Sequence, residues 1–172
     1  MRRILVSCAV VGLLALPAAA IARSSAVAKP GYVVVRKAVG NGGVNGSPVV
    51  KLAVQGFVLG RVTREGQVKI FQLPLVSGRG APQHTPGVTA RRVHWRGLTG
   101  QEYTGSNFRF RAMGGSYRVV IRGTGVYLFA GGQGSVKLQG SSYVRADGTY
   151  SVNGGRPRSL PKRLVKRKIG GG

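Results

Sequence analysis

The sequence predicts an all-β fold: a single antiparallel β-sandwich or barrel-like domain after a signal peptide, with a short β-solenoid as the alternative. Three observations carry that expectation. Apolar and polar residues alternate with a period of two in one segment after another. Glycine-centred turn signals separate those segments at short intervals. No segment places apolar residues at helical spacing between capping residues.

Residues 1–22 have the build of a secretory signal peptide. Arg2 and Arg3 supply the positive end and Ile4 to Leu16 the apolar stretch, which Pro17 ends just before Ala18, Ala19 and Ala20. Ala20 and Ala22 place small residues at both positions that a cut before Arg23 requires. The apolar stretch is short for a membrane span, which takes about 20 residues. Cys8 is the one cysteine, and it precedes most of that stretch, the wrong side for a lipidation box. A mature chain would therefore lack disulfides and depend on a packed core. No later apolar run reaches spanning length, so the mature chain is expected to have no transmembrane span.

Residues 23–48 read as an N-terminal strand and a Gly/Asn-rich loop between Val39 and Pro48, and residues 49–155 as the all-β domain. Within it, Val50, Leu52 and Val54 alternate with Lys51, Ala53 and Gln55, and Val68 and Ile70 flank Lys69. Val93 and Trp95 alternate with Arg92, His94 and Arg96; Phe108 and Phe110 with Asn107, Arg109 and Arg111. Tyr117, Val119 and Ile121 follow the same rule, as do Val136 and Leu138 around Lys137. Such patterns mark strands with one buried face. Turns are expected at Arg64-Glu65-Gly66, Gly114-Gly115, Gly123-Thr124-Gly125, Gly131 to Gly134 and Asp147-Gly148. Val76 to Gly87, with Pro82 and Pro86, reads as a longer excursion. The 29 glycines follow no triplet repeat, which excludes collagen. From Arg156 to Gly172 there are seven cations and no acid, the composition of a mobile basic tail.

An internal echo, if it is a duplicated hairpin and not a chance match in a Gly- and Val-rich chain, would favour stacked rungs. Val58 followed by Gly66-Gln67-Val68-Lys69-Ile70 matches Val126 followed by Gly134-Ser135-Val136-Lys137-Leu138 at identical spacing. The first of these motifs, with Gly56-Phe57-Val58-Leu59-Gly60-Arg61, resembles a pattern in small secreted β-proteins of high-GC Gram-positive bacteria. So does the run from Gly114 through Arg122-Gly123 and Gly134 to Gly140, ending at Gly148-Thr149-Tyr150-Ser151-Val152. The resemblance covers roughly residues 54 to 155. It implies secretion and a β-fold, and supplies no activity.

The inventory of reactive side chains is thin. The acids are Glu65, Glu102 and Asp147, the histidines His84 and His94, all scattered, so no metal cluster or cofactor site is expected. No Gly-x-Ser-x-Gly elbow occurs, and Gly123-Thr124-Gly125 opens no nucleotide fingerprint. Glu65 and Asp147 sit in turn signals. Glu102 has no such role, and a surface loop acid paired with an arginine is its ordinary reading. The expectation is a protein without catalytic residues.

Charge points to a partner. The chain carries 27 Lys and Arg against three acids, a net charge of +24. An ordinary solvated sheet face mixes both signs. Here Lys51, Lys69, Arg92, Arg96, Arg109, Arg111, Arg118, Arg122 and Lys137 all take the polar side of expected strands. The residues expected to contact a polyanion are Arg92, Arg96, Arg109, Arg111, Arg118, Arg122 and Lys137 on the sheet. Lys162, Arg163, Lys166, Arg167 and Lys168 in the tail complete the set. The expected partner is an anionic envelope component: a wall polymer, an acidic polysaccharide or an anionic membrane surface. Extracellular nucleic acid is less favoured, because most aromatics fall on the buried side. A self-assembling structural protein is the further alternative.

Overall fold

The computed structural model describes residues 29–39, 50–73, 83–84, 88–140 and 148–171. The expected leader, the loop over 40–48, Asp147 and most of the Val76–Gly87 excursion lie outside the described residues. Among the described residues every regular element is a strand: β1 Gly31–Val39, β2 Val50–Gln72, β3 Gln83–His84, β4 Thr89–Trp95, β5 Leu98–Leu138, β6 Thr149–Val152, β7 Arg158–Ser159 and β8 Val165–Ile169. They form one antiparallel sheet, not closed into a barrel. The expected all-β class holds.

β2 and β5, at 23 and 41 residues, are far longer than ordinary strands of about 5–6 residues. Their register explains why. β2 pairs along one side with Gly100 to Ile121 and along the other with Tyr117 to Leu138. Val50 and Val68 therefore both face Ile121, from opposite sides. The two strands form a coiled ribbon that returns beside itself. Its inner surface is a single hydrophobic core, to which Val50, Leu52, Val68 and Ile70 contribute alongside Val58, Phe108, Val126 and Leu128.

Glycines make the corners. Gly115, Gly56, Gly132 and Gly31 are successive cross-strand partners in one row, and Gly105, Gly66 and Gly123 in another. Gly56 and Gly132 have φ of 150° and 130°, and a Cβ on either would collide with a carbonyl oxygen of the neighbouring strand, that of Gly131 or Gln55. Only glycine lets the backbones approach so closely. The rows divide the ribbon into two faces. The first comprises residues 50–55, 67–72, 98–104, 116–122 and 133–138, with β4 and β8. The second comprises residues 57–65, 106–113 and 124–131, with β1, β3 and β6.

The turns expected at Arg64–Gly66, Gly114-Gly115, Gly123–Gly125 and Gly131–Gly134 are thus corners and bulges inside continuous strands. A glycine signal reports a backbone of positive φ or a close approach, and it is the same whether the chain reverses or bends. The tight hairpin lies elsewhere: Trp95 pairs with Leu98 across Arg96 and Gly97, whose φ of 48° and 77° are those of a two-residue primed turn.

The C-terminus also differs from expectation. The segment expected as a mobile tail supplies β7 and β8, and β8 pairs with Gly134 to Leu138 of β5. Val165 and Ile169 share one side of β8, Val165 half-buried and Ile169 fully buried in the core, while Leu160 is buried in the core as well. Those three apolar residues among seven cations are enough to dock the segment. β1 is equally integral, hydrogen-bonded to β5 and β6 with Val33 and Val35 buried. The folded unit therefore runs from Gly31 to Ile169.

Candidate polyanion-binding groove

On the outer surface of the first face lies a groove of about 440 Å³, lined by Lys51, Lys69, Phe71, Trp95, Arg118, Arg122 and Lys137 among others. Period two in the strands and the register between them assemble it. One cross-strand row runs Arg91, Glu102, Lys69, Val120, Lys51, Lys137, Lys166. The next runs Val93, Gly100, Phe71, Arg118, Ala53, Ser135, Lys168. Directly opposed residues share a face, so these side chains stand together on the same outer surface. Lys69 and Lys137, which hold matching places in the two echo segments, fall in this one row.

The first row has two unlike halves. At the β4 end Glu102 is 2% exposed and ion-paired through both carboxylate oxygens. Lys69 Nζ lies 2.9 Å from Oε2 and Arg91 Nη2 2.8 Å from Oε1. Gln67 Nε2 and Arg91 Nε donate to Oε1 at 2.8 and 3.0 Å. Burial alone would push the Glu102 carboxyl up; the Lys69 and Arg91 hydrogen bonds and charges together outweigh it and hold the group below its ordinary value. Glu102 is thus a buried strand residue that ties β2 and β4 to β5, not a loop acid, although its arginine partner is as expected. At the β8 end Lys51, Lys137 and Lys166 face one another with no acid between them among the described residues. Like charges directly opposed destabilise a sheet unless something compensates them.

An apolar wall closes the groove. Trp95 is 40% exposed and packs on Phe71, ring centroids 5.7 Å apart. Arg118 lies 5.6 Å from the Trp95 ring centroid and Arg96 5.3 Å from it, which fixes both guanidinium groups at the groove rim. Arg122 Nε is buried in the groove wall with no hydrogen-bond partner among the described residues. An unsatisfied buried donor of a charged group is costly to the free protein.

The structure sorts the expected contact residues. Arg118, Arg122 and Lys137 line the groove, Arg96 stands at its rim, and Lys166 and Lys168 extend it across β8. Arg92 alternates to the other side of β4 from Arg91, and Arg167 to the other side of β8 from Lys166. Arg109 and Arg111 sit on the second face, opposite Arg61 and Leu59. Lys162 and Arg163 lie in the connection before β8. Lys51 and Lys69, phased with the cations but outside the expected contact set, are central to the row. Trp95 and Val93, expected inside, instead face the groove, because β4 is an edge strand whose apolar side covers Phe71.

Among the described residues no group of His, Cys, Asp and Glu could hold a metal ion, and no helix is long and apolar enough to cross a membrane. No protein-family model, curated protein or solved structure shows significant similarity to the chain. Fold and groove together define the class: an all-β protein with an acid-poor cationic cleft on one sheet face.

Proposed function

We propose that this protein is secreted, is not an enzyme, and binds an extended anionic polymer of the cell envelope, such as a wall polymer or an acidic polysaccharide, in the cationic groove. The observation that carries the reading is the row of Lys51, Lys137 and Lys166, which has no acid opposite it among the described residues, beside Arg118 and Arg122. From Lys69 to Lys166 the row crosses four strand steps, roughly 19 Å at about 4.8 Å each. No single small anion reaches that far; a polymer engages the whole row. The leader over residues 1–22 and the resemblance to secreted β-proteins support the location.

Binding on this reading is neutralisation with counterion release, and arginine adds paired hydrogen bonds to phosphate or carboxylate oxygens. Because β8 is docked, Lys166 and Lys168 are held in place before the ligand arrives, so less entropy is lost on binding than with a mobile tail. The test is competition for the full-length protein between purified wall polymer, acidic polysaccharide and duplex DNA across a salt series. Polymer binding that survives moderate salt and displaces DNA supports the reading. Equal binding to all three that vanishes at one salt concentration overturns it.

A further inference from the structure

The second face carries a surface of different chemistry. Tyr32, Leu59, Met113 and Phe129 are 41%, 36%, 50% and 42% exposed, although each is large and apolar. They are contiguous: Leu59 pairs with Phe129, and Phe57 pairs with Met113 on one side and Gly131 on the other. The Phe129 ring packs edge-on against Phe57 at 5.2 Å and Tyr32 at 6.1 Å. Arg111 opposes Leu59, and Arg61 opposes Arg109 two residues along, so exposed arginines border the apolar cluster. Scattered apolar residues on a surface need no explanation, but a contiguous aromatic cluster does.

We infer that this face docks on an anionic phospholipid bilayer, the aromatic cluster entering the headgroup–acyl boundary and the bordering arginines meeting lipid phosphates. Charge selects the occupant. A second copy would bring arginines against the same arginines, between two bodies of charge +24. An anionic bilayer offers apolar depth under the aromatics and negative charge at the level of the arginines. Tyr32 carries the polar tip that favours that boundary, while Phe57 and Phe129 supply the apolar surface that enters it. The inference is independent of the groove, which lies on the first face. Together they would leave the groove open to a polymer while the second face rests on lipid.

The experiment uses two tryptophan reporters in the full-length protein. One is native Trp95, at the groove; the other is Phe129→Trp in a Trp95→Phe background. Each is mixed with vesicles of equal phosphatidylglycerol and phosphatidylcholine carrying bromine on the acyl chains. The expected result is strong quenching of the reporter at position 129 and little at Trp95, persisting in salt that abolishes DNA binding. Leu59→Ser with Phe129→Ser should lower vesicle partitioning at least about tenfold while leaving polymer binding intact. Equal quenching at both sites, or none at position 129, overturns the inference. So does sedimentation of a lipid-free dimer that Phe129→Ser dissociates, since the face would then be an interface between copies.

Discussion

Lys51 and Lys137 stand directly opposite one another on adjacent strands, and Lys166 stands opposite Lys137 on the next. Each contact costs stability in the free protein. At low salt, Lys137→Gln should raise resistance to urea by about 0.2–1 kcal/mol for each repulsion relieved. The gain should shrink as salt is added, because exposed charges are screened over about 10 Å at 0.1 M. Urea titrations at two ionic strengths check it. Destabilisation at low salt would mean these lysines are compensated within the fold.

Gly56→Ala and Gly132→Ala should each cost of order 3 kcal/mol, because the added Cβ meets a carbonyl oxygen at a backbone conformation reserved for glycine. Gly114→Ala is the contrast. Its φ is 70°, but nothing lies within 4 Å of the new Cβ, so the cost should be about 1–2 kcal/mol. Equilibrium unfolding of the three variants gives the comparison. Equal costs would deny the glycine rows their role as corners.

Glu102 sets an acid limit. Its folded-state carboxyl lies below the ordinary value, so the unfolded chain binds the proton more readily. The stability this contributes is present above the unfolded value of about 4.3 and is lost as pH falls through the lower folded one. Glu102→Gln should remove that part of the acid dependence. At neutral pH it should cost about 1–2 kcal/mol, because solvent screens Arg91, 67% exposed, and partly Lys69, 30% exposed. Thermal unfolding from pH 7 down to pH 3 tests both statements.

Trp95→Ala removes the cover of Phe71 and the ring that holds Arg118 and Arg96. A loss of about 1–2 kcal/mol in stability is expected, with weaker polymer binding. Trp95→Phe should retain most of both. If alanine and phenylalanine behave alike in binding, the ring does not position Arg118.

Much of this fold is written locally. The alternation at Val50 to Val54, Phe108 to Phe110 and Tyr117 to Ile121 identifies strands and their buried side, and with it the outward set of Lys51, Arg118 and Lys137. What local sequence does not carry is which strand lies beside which. That is why Arg109 and Arg118, equally phased, end on different faces: the Gly114 bulge and the corner at Gly115 stand between them. It is also why Gly123–Gly125 reads as a turn, since a bend and a reversal use the same glycine conformations. β8 was hidden by composition. Val165 and Ile169 are too few to stand out among cations, and only an open edge at Gly134 to Leu138 gives them a partner.

In the proposed binding mode affinity depends on where charge sits, not on how much of it there is. Two triple variants of the full-length protein remove the same three positive charges: Lys51, Lys137 and Lys166→Gln in the groove, and Arg92, Lys162 and Arg163→Gln outside it. Their affinities for purified wall polymer, measured side by side at one low salt concentration, are the most direct comparison. The groove variant should bind about 10–100-fold more weakly than the parent, and the other within a few-fold of it. Equal losses in the two variants would contradict the groove and leave only the net charge.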